Sequence, residues 1–186
     1  MTSIVIVPEY FNQEMIDKII KTGEASGYNP GRVYDSTIPE SIIKSPKRVC
    51  DVAEIDIGSN IWLVNILMHI AKVGNSNWQF DINYPKDIHV TRYGIGGHYV
   101  FHHDISWNQL PTQRKISISV QLSDSDSYEG GDLEFEDNMH DEKTLQYMRQ
   151  KGTVIVFPSY MRHRVTPVTR GERKSLVSWI EGPAWR

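Results

Sequence analysis

Apolar residues recur at helical spacing in two segments of the first half of the chain. Phe11 to Ala25 carries one apolar stripe with Asn12 as a candidate N-cap, and Asn60 to Val73 forms a second segment. Gly74 is a natural helix stop directly after it. The stripe of the first helix comprises Phe11, Met15, Ile19 and Ile20. Between the helices, Asn29 to Pro46 holds three prolines and a glycine, which predicts a loop, with an irregular strand as an option.

The second half changes to short β-branched runs separated by turn residues. Lys115 to Leu122 alternates, with Ile116, Ile118 and Val120 on one face and Lys115, Ser117 and Ser119 on the other. A polar stretch from Asp137 to Lys151 interrupts the runs and predicts a surface insert with one helical turn. The predicted strands are Ile88–Tyr93, His98–His102, Ile116–Leu122, Leu133–Phe135, Thr153–Phe157, Arg164–Val168 and Ser175–Ile180.

This order of elements predicts a mostly β fold, a jelly roll with the N-terminal helices packed outside it. We expect a single domain over residues 1–186, because this length suits one core. Residues 1–84 would form a helical buttress and loop, and residues 85–182 the jelly-roll core.

Composition and charge exclude several classes of protein. The net charge is −3 and no basic run occurs, so we expect no nucleic-acid partner. Cys50 is the only cysteine, which rules out an internal disulfide and favours a reducing, cytoplasmic location. Met1 to Tyr10 lacks a basic region and predicts a strand rather than a signal peptide. The longest apolar stretch, Ile61 to Ala71, is too short to span a bilayer, so we expect no membrane partner. No feature of the sequence indicates an oligomeric state.

Among seven histidines, the segment His102-His103-Asp104 carries the clearest chemical pattern. Side chains alternate along a strand, so His102 and Asp104 point to one side and His103 to the other. Two histidines and a carboxylate on one face of an octahedron are typical of non-haem Fe(II) oxygenases. His163, in a turn between two predicted strands, is the best third ligand. By contrast, His69, His89 and His140 have ordinary structural or solvated interpretations.

The neighbourhood of His163 supports this choice through a predicted hairpin. With its tip at Arg170-Gly171, the hairpin places His163 opposite Val177, and His163, Arg173 and Ser175 share one face. Arg173 would then stand about four residues from His163, or roughly 13 Å at 3.3 Å per residue. That gap fits a metal bond, a five-carbon dicarboxylate and a guanidinium, and Ser175 would add a hydroxyl donor.

Three ordered motifs resemble the prolyl 4-hydroxylase-type 2-oxoglutarate/Fe(II) dioxygenases, and especially their bacterial and phage PKHD-type relatives. The first runs from Tyr93 to Asp104 and fits the pattern Y-x-x-G-x-x-Y-x-x-H-x-D. The second is Tyr128 to Phe135, and the third runs from Gly152 through Phe157-Pro158-Ser159, His163, Arg173 and Ser175 to Trp179. The resemblance covers residues 85–182 closely and the N-terminal helices more loosely.

The resemblance implies a double-stranded β-helix fold in which His102, Asp104 and His163 bind Fe(II). It implies that Arg173 binds the C5 carboxylate of 2-oxoglutarate, with O₂ as the second co-substrate and ascorbate as a suggested further cofactor. Tyr93 in this family often reaches the co-substrate, although a core tyrosine is an equal alternative. Tyr99 would line the substrate side or pack, and Trp179 is expected in the core. Many animal prolyl hydroxylases have lysine at the position of Arg173, so the arginine resembles the PKHD branch.

The implied function is hydroxylation of a substrate C–H bond, with a prolyl residue of a peptide or protein as the leading substrate and succinate and CO₂ as products. A hydroxylase of a free amino acid, small molecule or nucleobase on the same fold is the alternative. A non-catalytic jelly-roll binding protein is a third hypothesis, which the complete set of metal-binding residues and Arg173 disfavour. Specificity would lie in loops such as Asn29–Pro46 and Ser106–Arg114.

Overall fold

The computed structural model describes residues 4–34, 42–43, 45–105, 111–136 and 141–185. In this part of the chain the three helices are α1 (Gln13–Ser26), α2 (Ile61–Asn75) and α3 (Glu142–Arg149). The strands are β1 (Val5–Val7), β2 (Asn29–Pro30), β3 (Val33–Tyr34), β4 (Ile42–Ile43), β5 (Arg48–Val49), β6 (Asp51–Glu54), β7 (Pro85–Tyr93), β8 (His98–His102), β9 (Thr112–Gln121), β10 (Tyr128–Gly130), β11 (Leu133–Phe135), β12 (Val154–Pro158), β13 (His163–Val165), β14 (Val168–Gly171) and β15 (Arg173–Pro183).

Two antiparallel sheets form the body of the protein. The large sheet has seven strands in the order β1-β12-β9-β15-β7-β6-β2, and the small sheet has four in the order β11-β13-β8-β5. Residues of both sheets line one cavity, so the sheets face each other across it. The predicted jelly roll is thus confirmed. No helix in the described ranges is both long and apolar enough to cross a membrane.

Helices α1 and α2 pack on the outer face of the large sheet, as predicted. Ile16 and Ile19 of α1 and Leu67 of α2 share one buried cluster with Ile118 and Val120 of β9. The opposite face of β9 is also buried: Ser117 and Ser119 line the cavity between the two sheets, and the Nζ of Lys115 lies 3.7 Å from the Trp185 ring centroid. The polar half of this alternation therefore faces the interior of the jelly roll and not solvent.

The boundaries of α1 and α2 lie within two residues of the predicted ones at both ends. The backbone N–H of Met15 donates to Asn12 Oδ1 at 3.0 Å, which confirms the N-cap of α1. Gly74 does not stop α2, which continues to Asn75. A Cβ at Gly74 would lie 2.9 Å from Val156 Cγ1, so glycine is needed there because the helix approaches the sheet closely. Helix α3 has eight residues rather than one turn, and residues 137–140, with His140, lie outside the described residues.

The predicted hairpin between His163 and Val177 is wrong. His163 pairs with His102 and Phe135 in the small sheet, whereas β15 pairs with β7 and β9 in the large sheet. The predicted strand Arg164–Val168 breaks at Thr166 and Pro167, and the chain then pairs with β10. Proline lacks the N–H needed to continue a ladder, which explains why the strand ends there.

Candidate active site

His102, Asp104 and His163 come together on two neighbouring strands of the small sheet. His163 of β13 lies directly opposite His102 of β8, and Asp104 follows two residues later. Their candidate ligand atoms all lie within 4.8 Å of one another. The two histidine Nε2 atoms each lie 3.5 Å from a different oxygen of Asp104. The backbone N–H of Asp104 donates to Ser159 O at 3.0 Å, which holds the residue beyond the end of its strand.

Hydrogen bonds to the backbone fix the tautomer of both histidines. His102 Nδ1 lies 2.8 Å from Val100 O, and His163 Nδ1 lies 2.9 Å from Met161 O. A carbonyl oxygen only accepts, so Nδ1 carries the proton and donates in each ring. The Nε2 lone pairs therefore face Asp104 and are available to a metal ion.

The charge states of the buried groups suit metal binding. Burial lowers the pKa of His163 to about 4, against the attraction of Asp104, so its imidazole is neutral at pH 7. Burial tends to raise the pKa of Asp104, but the positive charges that His163 and His102 carry when protonated outweigh it and hold that pKa well below its usual range, so the carboxylate is ionised at pH 7. Neutral imidazoles and an ionised carboxylate are the forms that bind a metal ion.

Two serines support Asp104, and the sequence reasoning missed both. Ser117 Oγ donates to Asp104 Oδ2 at 2.7 Å, and Ser159 Oγ lies 2.9 Å from Ser117 Oγ. Ser117 and Ser159 are buried, so water does not compete for these bonds. The alternation of polar and apolar residues in β9 could have indicated that Ser117 faces the site. A strand with one face exposed to solvent has the same pattern, so the sequence does not distinguish the two.

The other nearby histidines point elsewhere. His103 Nδ1 donates to Tyr160 O at 2.6 Å, on the side of the strand away from the triad, as alternation predicts. The ring nitrogens of His98 lie within 3.0 Å of the carbonyl oxygens of Gly96 and Pro46.

Arg173 lies in the wall of the same cavity, on the large sheet. Its side chain is 4% exposed, and no carboxylate of the described residues lies within 4.0 Å of it. Arg173 Nη1 donates to Ser175 Oγ at 3.3 Å, and that hydroxyl lies 2.7 Å from Thr91 Oγ1. A Cβ at Gly131 would lie 3.1 Å from Arg173 Cδ, so glycine leaves room for the arginine stem. Thr91 was not predicted from the sequence.

A cationic group buried in this way can bind an anion. A desolvated guanidinium without an acidic partner is costly, and a carboxylate ligand would relieve that cost. The cavity contains about 490 Å³ of space, including its open mouth, and also presents Ser117, Ser119, Val177 and Phe157. It can therefore hold a small dicarboxylate between the guanidinium and the triad.

Three aromatic residues complete the wall. The Tyr93 ring lies 5.8 Å from Arg173 Cζ, and burial raises the pKa of its phenol, which keeps the hydroxyl protonated as a donor. Tyr99 stacks on His102 with 3.5 Å between ring centroids, and burial raises its pKa to about 12. Trp179, expected only in the core, lines the cavity, with Arg114 Cζ 3.8 Å from its ring centroid.

Comparison with known proteins identifies a family and relatives for this chain. The sequence profile of the 2OG-Fe(II) oxygenase superfamily matches residues 88–181. A PKHD-type hydroxylase from Sphingopyxis alaskensis is 32% identical over 77% of this chain and 64% of that protein. One from Teredinibacter turnerae is 30% identical over 81% of this chain and 66% of that protein. The chain thus spans just under two thirds of the length of these curated relatives.

Solved structures share the whole fold at low identity. The viral collagen prolyl hydroxylase of Paramecium Bursaria Chlorella virus-1, in its 2OG complex, gives a TM-score of 0.70 at 21% identity and covers 97% of each chain. A Pseudomonas putida prolyl-4-hydroxylase gives 0.71 at 20% identity over 98% of this chain and 94% of that one. At these identities the matches show the fold.

Proposed function

The chain belongs to the 2OG-Fe(II) oxygenase superfamily, and from that membership we propose that it is an Fe(II)- and 2-oxoglutarate-dependent dioxygenase that hydroxylates a C–H bond. The observation that carries the proposal is the placement of two groups in one cavity. These groups are the triad His102, Asp104 and His163, and the buried guanidinium of Arg173, which has no acidic partner among the described residues.

The residues present fit the implied metal and co-substrate. Two imidazoles and one carboxylate form the donor set that non-haem Fe(II) oxygenases use, and they leave other coordination positions open. We propose that Arg173 binds the C5 carboxylate of 2-oxoglutarate through its planar fork, with Ser175 as a further hydroxyl donor. Tyr93 is the aromatic neighbour of that guanidinium, and we propose that its phenol donates to the same co-substrate.

Each group of the chain has a defined task in this proposal. His102, Asp104 and His163 would hold the metal ion, and Ser117 would keep the Asp104 carboxylate in place. Arg173, Ser175 and Thr91 would orient the dicarboxylate, while Tyr99 and Trp179 would exclude water from the reacting face. When bound, Fe(II) with 2-oxoglutarate and O₂ supplies the oxidising chemistry that no side chain here can supply.

A prolyl residue of a peptide is the substrate that we propose first. Proteins with this fold include a viral collagen prolyl hydroxylase and a prolyl hydroxylase solved with a hypoxia inducible factor peptide from Trichoplax adhaerens. Their identities to this chain, 21% and 15%, show the fold alone, so the substrate rests on analogy.

The test is succinate release from 2-oxoglutarate by purified protein with added Fe(II), measured with and without ascorbate. Wild type should release succinate even without a prime substrate, and His102→Ala, His163→Ala and Asp104→Ala should not. Mass spectrometry of proline-containing peptides should then show the gain of one oxygen atom. Succinate release that is equal in wild type and all three variants would contradict the proposed function.

A further inference from the structure

Arg48 is a second arginine in the wall of the cavity, and the proposed reaction has no task for it. It lies on β5, the edge strand of the small sheet, opposite Tyr99. Arg48 Cζ lies 5.0 Å from the Tyr99 ring centroid, which in turn lies 3.5 Å from the His102 centroid. The guanidinium carbon is therefore at most 8.5 Å from the His102 ring, within reach of a small molecule at the metal site.

The charge of Arg48 has no acidic partner among the described residues. Six of the nine arginines described form a salt bridge with a carboxylate: Arg92, Arg114, Arg149, Arg162, Arg164 and Arg170. Of the other three, Arg32 is exposed to solvent. The two that remain, Arg48 and Arg173, both line the cavity. The cavity thus contains two guanidinium groups that no acid of the described chain neutralises.

Two neutral acceptors orient the Arg48 guanidinium without neutralising it. Nε donates to Cys50 Sγ at 3.2 Å, and Nη1 donates to the Arg32 carbonyl oxygen at 3.3 Å. Within the described residues Nη2 has no acceptor. Arginine stays charged at every physiological pH, so these two hydrogen bonds hold a half-buried cation in a residue that lines the cavity.

We propose that Arg48 binds a carboxylate of the prime substrate, next to the C–H bond that is hydroxylated. This inference rests on the proposed function, because that function assigns Arg173 to 2-oxoglutarate and leaves Arg48 for the second ligand. A guanidinium whose Nη2 group has no acceptor among the described residues suits a carboxylate, because it offers N–H donors to an anion in a charge-assisted hydrogen bond. The substrate is then an amino acid, or a peptide with its terminal or side-chain carboxylate beside the reacting residue.

The test compares a carboxylate probe with its neutral amide. N-acetyl-L-proline, N-acetyl-L-prolinamide and acetate are titrated calorimetrically into protein that holds Mn(II) and saturating 2-oxoglutarate. Wild type should bind N-acetyl-L-proline at least about tenfold more tightly than the amide. Arg48→Gln should remove this preference, and Arg48→Lys should keep part of it. Arg92→Gln is the matched control, because Arg92 is paired with Asp51 and is not among the residues that line the cavity.

Other outcomes would contradict either the role of Arg48 or the proposed function. No carboxylate preference in wild type, or a preference that persists in Arg48→Gln, overturns the inference. Loss of 2-oxoglutarate affinity in Arg48→Gln as large as in Arg173→Ala also overturns it, since Arg48 would then belong to the co-substrate site. A separate titration of 2-oxoglutarate into the Mn(II) protein measures the affinity for the co-substrate. If wild type does not bind 2-oxoglutarate, the proposed function is contradicted rather than the role of Arg48.

Discussion

Ser117→Ala should weaken Fe(II) binding without disturbing the fold. The substitution removes the 2.7 Å hydrogen bond to Asp104 Oδ2 and the link to Ser159, and it leaves the β9 backbone unchanged. Ser117 is 2% exposed and the Asp104 side chain 8%, so solvent does not replace the lost donor fully. A hydrogen bond to a buried charge contributes roughly 1.5–3 kcal/mol. Loss of such an outer partner typically costs about 10–100-fold in metal affinity, which is the same range.

The assay is anaerobic titration of metal-free protein with Fe(II), with Co(II) as a spectroscopic substitute. Ser119→Ala is the matched control, because Ser119 lies two residues along the same strand, is buried and lines the cavity, but makes no hydrogen bond to Asp104. Thermal unfolding of the metal-free proteins reports separately on the fold. An Fe(II) dissociation constant in Ser117→Ala within about threefold of the control would contradict this prediction, because a threefold change is well under 1.4 kcal/mol.

Arg173, His103 and His89 can each be tested by substitution. Arg173→Ala should raise the KM for 2-oxoglutarate by about two to three powers of ten, with Arg173→Lys intermediate and Fe(II) stoichiometry unchanged; an unchanged KM would remove Arg173 from the site. His103→Ala should retain Fe(II) binding, since His103 bonds to Tyr160 O; loss of metal in a folded variant would contradict this. Burial lowers the pKa of His89 from 6.5 to about 4. Between these two pH values the unfolded chain is protonated at His89 and the folded chain is not. The free energy of unfolding therefore falls as the pH drops from 6.5 to 4, by about 3 kcal/mol for this residue. His89→Phe should flatten that part of the curve in denaturant titrations from pH 7 to 4, and an unaltered slope would contradict the assignment.

The periodic parts of the fold were predictable from sequence. Strands β8 and β11 have the predicted bounds, and α1 begins after the predicted cap, Asn12. Burial against a neighbouring layer imposes those periods directly on the sequence. Gly74 was misinterpreted, because a glycine that ends a helix and one that lets a helix approach a sheet have the same local sequence.

Strand geometry predicted the site correctly only for the two residues that lie on one strand. His102 and Asp104 lie two residues apart, so alternation alone puts both on one side. His163 and Arg173 were grouped through a hairpin that does not exist, since Thr166-Pro167 ends β13 and sends the chain to another sheet. Ser117, Thr91 and Arg48 were missed because their roles depend on which strands face each other, and no local pattern encodes that.

The division of the site between two sheets has a mechanical consequence. His102 and His163 lie on the small sheet, whereas Arg173 and Ser175 lie on the large one. The distance from metal to guanidinium is therefore set by the packing between the sheets and not by steps along one ladder. Asp104 is the ligand that joins the two halves, because its carboxylate bonds to Ser117 of the large sheet. Loss of Ser117 should therefore change both the metal affinity and the position of the metal ion relative to the co-substrate. Ser117→Ala should raise the KM for 2-oxoglutarate even at saturating Fe(II), whereas Ser119→Ala should not.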